Sequence, residues 1–466
     1  MASIARPRRE TDPATALAGY ASDTSYEAIP AEVFAAAKLQ LIDTLACLLG
    51  GSAAFGCPTI RDAAVTLGGA GKATVLNDGR KTSPLFAALA NGAMVQALDF
   101  DDTHEGGGTH SYAPVFPAVM AAAEARQGVS GREFLTALTL GIEVHCRVAA
   151  SVRPHLHSGW HPTAMCGVFG AAAGAARILE CDADATRHAL GLAYSSAAGT
   201  RQPILDGVLA KRLQSGLAAQ AGLQAAFLAK AGISGSRDFL QGAFGFSEMF
   251  AGGRMDVGVL AGDLGVRYEL LSIALKPYPC CRSTHAAIDV ALEFARRPEV
   301  RPETIREVRV FGPRLTVELV GAPFAIRTNP QVDAQFSIPY TVATALLRRA
   351  VQIEDFKPEV VVARSEVHQL ASRITVHRDD SLLLADGQQL AILEVMTDKG
   401  VTRITRPFLR GNPKDPLTYD DVVAKLRSCA ALAAHPLGEA KIDGIMKVVD
   451  RIDLLADVGD LVRALC

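Results

Sequence analysis

The run Pro162-Thr-Ala-Met-Cys-Gly-Val-Phe-Gly-Ala-Ala-Ala-Gly-Ala-Ala176 decides the fold class. It is the longest weakly polar stretch of the chain, yet it falls short of the roughly 20 residues a membrane-spanning helix needs, and it is built from Ala and Gly rather than Leu and Ile. Side chains this small let helix backbones approach closely, so the stretch predicts a buried helix at a tight helix–helix contact. The same Ala-rich texture runs outward over residues 30–252, broken only by short Gly, Pro and Ser punctuation. Pro30 opens a helix predicted to close on Gly50-Gly51, and Ser83-Pro84 opens another that runs to about Leu98. Ser130 with Glu133 forms a capping box ahead of a helix over 134–150, and 208–230 is a helix with Gly232 near its end.

Beyond Val266 the texture changes. Residues 308–311, 374–377, 390–397 and 401–405 concentrate β-branched side chains in short runs and predict strands, with helices over 283–297 and 334–349 between them. The polar linker Arg410-Gly-Asn-Pro-Lys-Asp-Pro416 precedes further helices at 419–434 and from 438 onward. The predicted architecture is therefore mainly α: a large all-helical domain over 1–269, a smaller α+β lid domain over 270–407, and C-terminal helices over 408–466 that pack back on the helical domain.

Composition narrows the function. With 466 residues, 49% of them hydrophobic, and a net charge of −2, nothing marks a binder of nucleic acid or of an anionic membrane surface. Nine cysteines, an odd number with no C-x-x-C, argue against a disulfide framework and a zinc ribbon and fit a reducing cytoplasm. The basic opening MASIARPRRETDPAT is followed by no apolar run, so neither a secretory nor a twin-arginine signal is expected there; it reads as a frayed tail. Gly68-Gly-Ala-Gly71-Lys72-Ala73 mimics a phosphate loop, but Thr66 stands where its first glycine belongs and Ala73 lacks the hydroxyl for Mg²⁺. His104-Glu105 has Gly108 where a zincin needs its second His, and neither G-x-S-x-G nor a strand followed by G-x-G-x-x-G is present.

Chemistry concentrates in two histidine clusters. Asp99-Phe-Asp101-Asp102-Thr103-His104-Glu-Gly-Gly-Gly-Thr-His110-Ser111 is a loop between helices, where glycines let backbone approach a ligand and acids can orient an imidazole; a solvated acidic loop with helix-capping residues is the plain alternative. His155-Leu-His157-Ser-Gly-Trp160-His161-Pro162 ends at a helix N-terminus, whose dipole disfavours imidazolium at His161 and suits a neutral base. A metal held by His155, His157 and His161, or a purely structural trio, are the competing readings. Lys211 and Lys276 stand in apolar surroundings, where an ammonium is costly unless it meets an anion or snorkels, and Arg282 adds a cation close to Lys276. Tyr340, in Phe336-Ser-Ile-Pro-Tyr340, reads on its own as a core helix residue with a satisfied hydroxyl.

Together these blocks resemble the MmgE/PrpD family, which includes 2-methylcitrate dehydratase, cis-aconitate decarboxylase and iminodisuccinate epimerase. The resemblance rests on Leu41-Ile-Asp-Thr-Leu-Ala46, Ala97-Leu-Asp-Phe-Asp-Asp-Thr-His104 with His110, Gly159-Trp-His161, Lys211-Arg-Leu-x-x-Gly-Leu-Ala-Ala219 and Lys276-Pro-Tyr-Pro-Cys-Cys-Arg-x-x-His285, and covers nearly the whole chain. It implies a homodimer with its site in a cleft between helical domain and lid, no metal and no organic cofactor. It also implies Asp99, Thr103, His110, His161, Lys211, Lys276 and Tyr340 as site residues. The loop from Thr103 to His110 is one residue longer than the family's decarboxylase pattern, and His110 precedes Ser111 where many members read His-Pro-Ser.

In chemical terms, Lys211, Lys276 and Arg282 supply cations for a small polycarboxylate. His110 and His161 are candidate bases, Asp99 orients an imidazole, and Tyr340 or Lys276 serves as acid. Abstraction of the proton α to a carboxylate is the shared first step. The length and the altered loop favour an iminodisuccinate-epimerase-like activity on an amino-polycarboxylate. A dehydratase of the 2-methylcitrate type is next, then a cis-aconitate-type decarboxylase, and a polycarboxylate-binding protein is the non-enzymatic alternative.

Overall fold

The computed structural model describes residues 12–298 and 300–466, so the basic opening of the chain lies outside the described residues. The Ala/Gly stretch forms the helix Pro162–Ile178, packed against Gly131–Val152, Ala210–Lys230 and Tyr112–Arg126. Its glycines are there for contact distance: a Cβ on Gly170 would stand 2.6 Å from the Gly141 carbonyl oxygen, so the two backbones touch. The helices Ala31–Ser52 and Gly131–Val152 are long and apolar enough to span a membrane by length and composition alone, and both are mostly buried against other helices.

The capping box is formed from both sides, Ser130 Oγ accepting from the Glu133 amide and Glu133 Oε2 accepting from the Ser130 amide at 2.8 Å. Gly50-Gly51 behaves otherwise than predicted. The helix runs through both glycines to Ser52, because a Cβ on Gly51 would lie 1.9 Å from the Met94 carbonyl oxygen and one on Gly50 would meet Leu98 and Cys429. The pair serves close approach, not termination.

The second part of the fold is a four-stranded sheet ordered Ile374–Arg378, Ile305–Gly312, Ile392–Thr397, Gly400–Thr405, with its first pair parallel and the others antiparallel. Helices Arg282–Ala295 and Ile338–Arg348 pack on each other and on this sheet. The predicted helix over 334–349 is broken: Pro330–Gln335 ends first, and Ser337, whose Oγ accepts from the Tyr340 amide, restarts the chain ahead of Pro339.

Two hydrophobic cores result. One gathers side chains from Ala14 to Leu275, Ile353, and again Leu417 to Leu465; the other draws on residues between Tyr278 and Leu409. The returning helix Tyr419–Ala431 lies on Ala31–Ser52 and drives Lys425 into the helical body, where its Nζ meets Asp43 Oδ1 at 2.7 Å and the Phe100 carbonyl at 2.6 Å. This buried pair supports the acidic loop from behind.

Candidate active site

The acidic loop follows the helix Pro84–Gln96, and its first acid, Asp99, adopts a left-handed backbone (φ 51°) that an aspartate tolerates better than most side chains. Thr103 and His104 then pair antiparallel with Ala274 and Ile273. That short pairing carries the segment leading to Lys276 beneath the loop. Lys276 is fully buried; its Nζ donates to the Asp99 carbonyl at 2.7 Å and lies 3.6 Å from Asp99 Oδ1. Lys211, from helix Ala210–Lys230, donates to the same carboxylate oxygen. Burial alone would raise the Asp99 carboxyl, but the Lys211 and Lys276 ammonium groups outweigh it and hold Asp99 well below the usual carboxylate range. Asp101 is less closely paired, with Lys276 Nζ 4.0 Å from its Oδ1: burial, only partly offset by Lys276 and Lys211, lifts it to about 6. Asp102 caps the next helix, accepting from the Ser111 and Tyr112 amides at 2.7 and 3.0 Å.

Both candidate bases are uncharged at neutral pH. Burial and the nearby lysines push the His110 imidazole well below its ordinary range. Its Nδ1 stands 2.7 Å from the Asp102 carbonyl, which only accepts, so Nδ1 carries the proton and Nε2 keeps the lone pair. His161, just ahead of helix Pro162–Ile178, is lowered to about 3 by burial, then by Lys211 and Arg201. Its Nδ1 lies 2.8 Å from Gln214 Oε1, and that amide is oriented by Gln214 Nε2 donating to the Thr200 carbonyl at 2.9 Å. Gln214 therefore fixes the same tautomer, with Nε2 free. His104 and His145 are spent internally, on Glu269 and Thr109.

A cavity of about 620 Å³ opens between helical body and lid. Asp99, Thr103, His110, His161, Lys211 and Arg282 all line it, together with an apolar wall that includes Leu156, Ile204, Leu315 and Leu384. The Thr103 hydroxyl has no partner among the described residues.

Two expectations are corrected. Lys276 does not line the cavity; it stands behind Asp99, anchoring the loop. Tyr340 lies in the lid core, donating to the Asp355 carbonyl at 2.6 Å, so it is not placed to act as an acid in the cavity. Arg282 lines the cavity as expected, with Glu105 at 2.8 Å and the Arg410 carbonyl at 3.0 Å beside it. His155, His157 and His161 form no metal trio: among the described residues no group of three or more His, Cys, Asp or Glu is placed to hold a metal ion.

Sequence reading missed Gln214, Arg153 and Arg201. Arg153 follows helix Gly131–Val152, Arg201 precedes the short helix Gln202–Asp206, and both guanidinium groups line the cavity. Arginines at helix ends are commonplace, so only their place on the cavity wall distinguishes these two.

A helical body, an α+β lid and a cleft between them that collects neutral imidazoles and cations define a two-part cleft enzyme. Residues 15–257 match the MmgE/PrpD N-terminal domain and residues 278–451 the MmgE/PrpD C-terminal domain, so the chain belongs to the MmgE/PrpD family. Among its relatives, a cis-aconitate decarboxylase of Aspergillus terreus (strain NIH 2624 / FGSC A1156) is 29% identical, covering 96% of this chain and 94% of its own. The cis-aconitate decarboxylase-like protein oryM of Aspergillus oryzae is 27% identical over 93% of each. The Homo sapiens cis-aconitate decarboxylase is 27% identical over 82% of this chain and 79% of its own.

Proposed function

We propose that the protein is a lyase that decarboxylates a small unsaturated polycarboxylate of the cis-aconitate type. The observation that carries this reading is that His110 and His161 both face one cavity, each with its Nδ1 proton committed and its Nε2 free. An imidazole that is neutral in the empty cavity takes up a proton once a multiply charged anion lies beside it, and can then deliver it. In the proposed step the bond from an allylic carbon to its carboxylate breaks and CO₂ leaves. The released electron pair forms a new C=C, and the displaced π pair takes the proton from the imidazolium at the far alkene carbon. The unpartnered Thr103 hydroxyl, and the Lys211 hydrogens not given to Asp99, donate to oxygens near the reacting carbons.

The epimerase that the sequence favours would use the same two imidazoles, one on each face. The decarboxylase names of relatives matching nearly the full chain tip the balance to loss of CO₂. Incubation with cis-aconitate in heavy water tests this: CO₂ release with one deuterium in the product is expected. Deuterium incorporation with inversion of an amino-polycarboxylate and no CO₂ marks an epimerase, loss of water from a 2-methylcitrate-type acid a dehydratase, and binding without exchange a binding protein.

We propose further that the protein is a cytoplasmic homodimer. Cysteines free of disulfides support the compartment, and the exposed Leu217 and Leu228, on one face of helix Ala210–Lys230, support a partner surface. Sedimentation at twice the monomer mass is the expected result.

A further inference from the structure

Most cations around the cavity already have an anion: Lys211 is paired with Asp99, Arg282 with Glu105, and Arg314 with Glu318 at 2.7 Å. Arg153 and Arg201 do not. Neither has a carboxylate within ion-pair distance among the described residues. Arg201 is only 8% exposed, and its one side-chain hydrogen bond goes to the Ser158 carbonyl. Gly108, with φ +59°, leaves the room Arg153 occupies, since a Cβ there would stand 2.5 Å from Arg153 Nε. Burial weakens the charged form of both guanidinium groups, and the Arg153 charge adds to the effect on Arg201. Two like charges held near each other in a partly dry cavity are unfavourable until an anion joins them, and planar guanidinium forks suit a carboxylate.

We infer that Arg153 and Arg201 form a clamp for a substrate carboxylate remote from the reacting carbons. The placement fits this role. Arg201 is close enough to His161 to depress its basicity, so a molecule held by the clamp at one end presents its carbon skeleton to the imidazole. The inference rests on the polycarboxylate reading above but not on the loss of CO₂.

The test is calorimetric titration of the full chain with tricarballylate, a saturated tricarboxylate that cannot decarboxylate, and with glutarate, which lacks one of its carboxylates. Wild type is expected to bind tricarballylate at least tenfold more tightly than glutarate. Arg153→Gln and Arg201→Gln are each expected to weaken tricarballylate at least tenfold, and the double variant to lose the preference between the two acids. Arg→Lys at either position is expected to recover part of the loss. The melting temperature of the ligand-free Gln variants is expected to hold or rise, because repulsion is relieved; a merely structural arginine would lower it.

Tricarballylate binding within twofold of wild type in both Gln variants overturns the clamp, as does inorganic phosphate competing as well as the tricarboxylate. If tricarballylate binds in an arginine-dependent way while cis-aconitate releases no CO₂, the clamp stands and the decarboxylase reading falls. If CO₂ is released and the Gln variants keep the wild-type KM, the reverse holds.

Discussion

Lys276 and Asp99 are joined through the main chain: the buried ammonium donates to the Asp99 carbonyl at 2.7 Å, and its charge also holds the neighbouring carboxylate ionised. The lysine thus builds the floor of the cavity without lining it. Replacing it by Met leaves Asp99 with Lys211 alone and removes the nearest cation from Asp101. Breaking a buried charge pair by deleting one partner costs about 3–5 kcal/mol, so Lys276→Met is expected to lower the urea midpoint substantially as well as to abolish turnover. An unchanged midpoint with only a raised KM would return Lys276 to the substrate.

Tyr340→Phe separates the family resemblance from the geometry. Its hydroxyl serves the Asp355 carbonyl, and Asp355 also accepts from Arg348 and Arg364, so the bond belongs to the lid's internal network. Loss of one buried hydrogen bond costs about 1–3 kcal/mol. The variant is expected to unfold more easily while keeping kcat within about threefold. A thousandfold fall in kcat at unchanged stability would place the phenol in the chemistry.

How much of this was legible in the sequence depended on whether the signal was local. The strands at 374–377 and 401–405, the capping box at Ser130 and the buried Ala/Gly helix all rest on short-range pattern and were readable. His110, His161, Lys211 and Asp99 were found by clustering and by the blocks they sit in, and the structure brings them to one cavity. What failed was long-range. That Lys276 turns towards the Asp99 backbone follows from the pairing of Thr103 with Ala274, which no local pattern announces. That Glu105 satisfies Arg282, and that Arg153 and Arg201 have no such partner, are facts about residues far apart in the chain. Gln214 looked like any polar helix residue until His161 was placed against it.

Gly51→Ala tests the tight packing by the sign of its effect. Inside a helix the swap alone would stabilise by about 0.5–1 kcal/mol. Here the new methyl would meet the Met94 carbonyl oxygen at 1.9 Å, a backbone atom that moves only with its whole helix. Overpacking of this kind costs about 1–3 kcal/mol, so a net loss is expected in thermal or urea unfolding. A gain in stability would mean that the helices Ala31–Ser52 and Pro84–Gln96 do not approach so closely.

The Gln214–His161 pair gives the sharpest pH test. His161→Ala is expected to abolish turnover with the fold intact, and survival of activity within about tenfold, about 1.4 kcal/mol of barrier, would remove it from the chemistry. Gln214→Glu is more informative because it keeps the shape and puts a negative charge against Nδ1, at the cost of the bond to the Thr200 carbonyl. In the wild type His161 is lowered to about 3, so the unfolded chain binds the extra proton below its ordinary value near 6.5. The stability tied to this group is therefore complete above pH ~6.5 and lost as pH falls towards about 3. A carboxylate at position 214 favours the imidazolium and raises that value, which narrows the window of acid loss. It also moves the alkaline limb of kcat/KM, where the proton-donating imidazolium is lost, to higher pH, by about one unit for each 1.4 kcal/mol of added attraction. Paired pH–rate profiles of wild type and Gln214→Glu read the shift directly. Superimposable alkaline limbs would show that the amide at 214 does not set the protonation of His161, and the assignment of Nε2 as the atom that exchanges the proton would go with it.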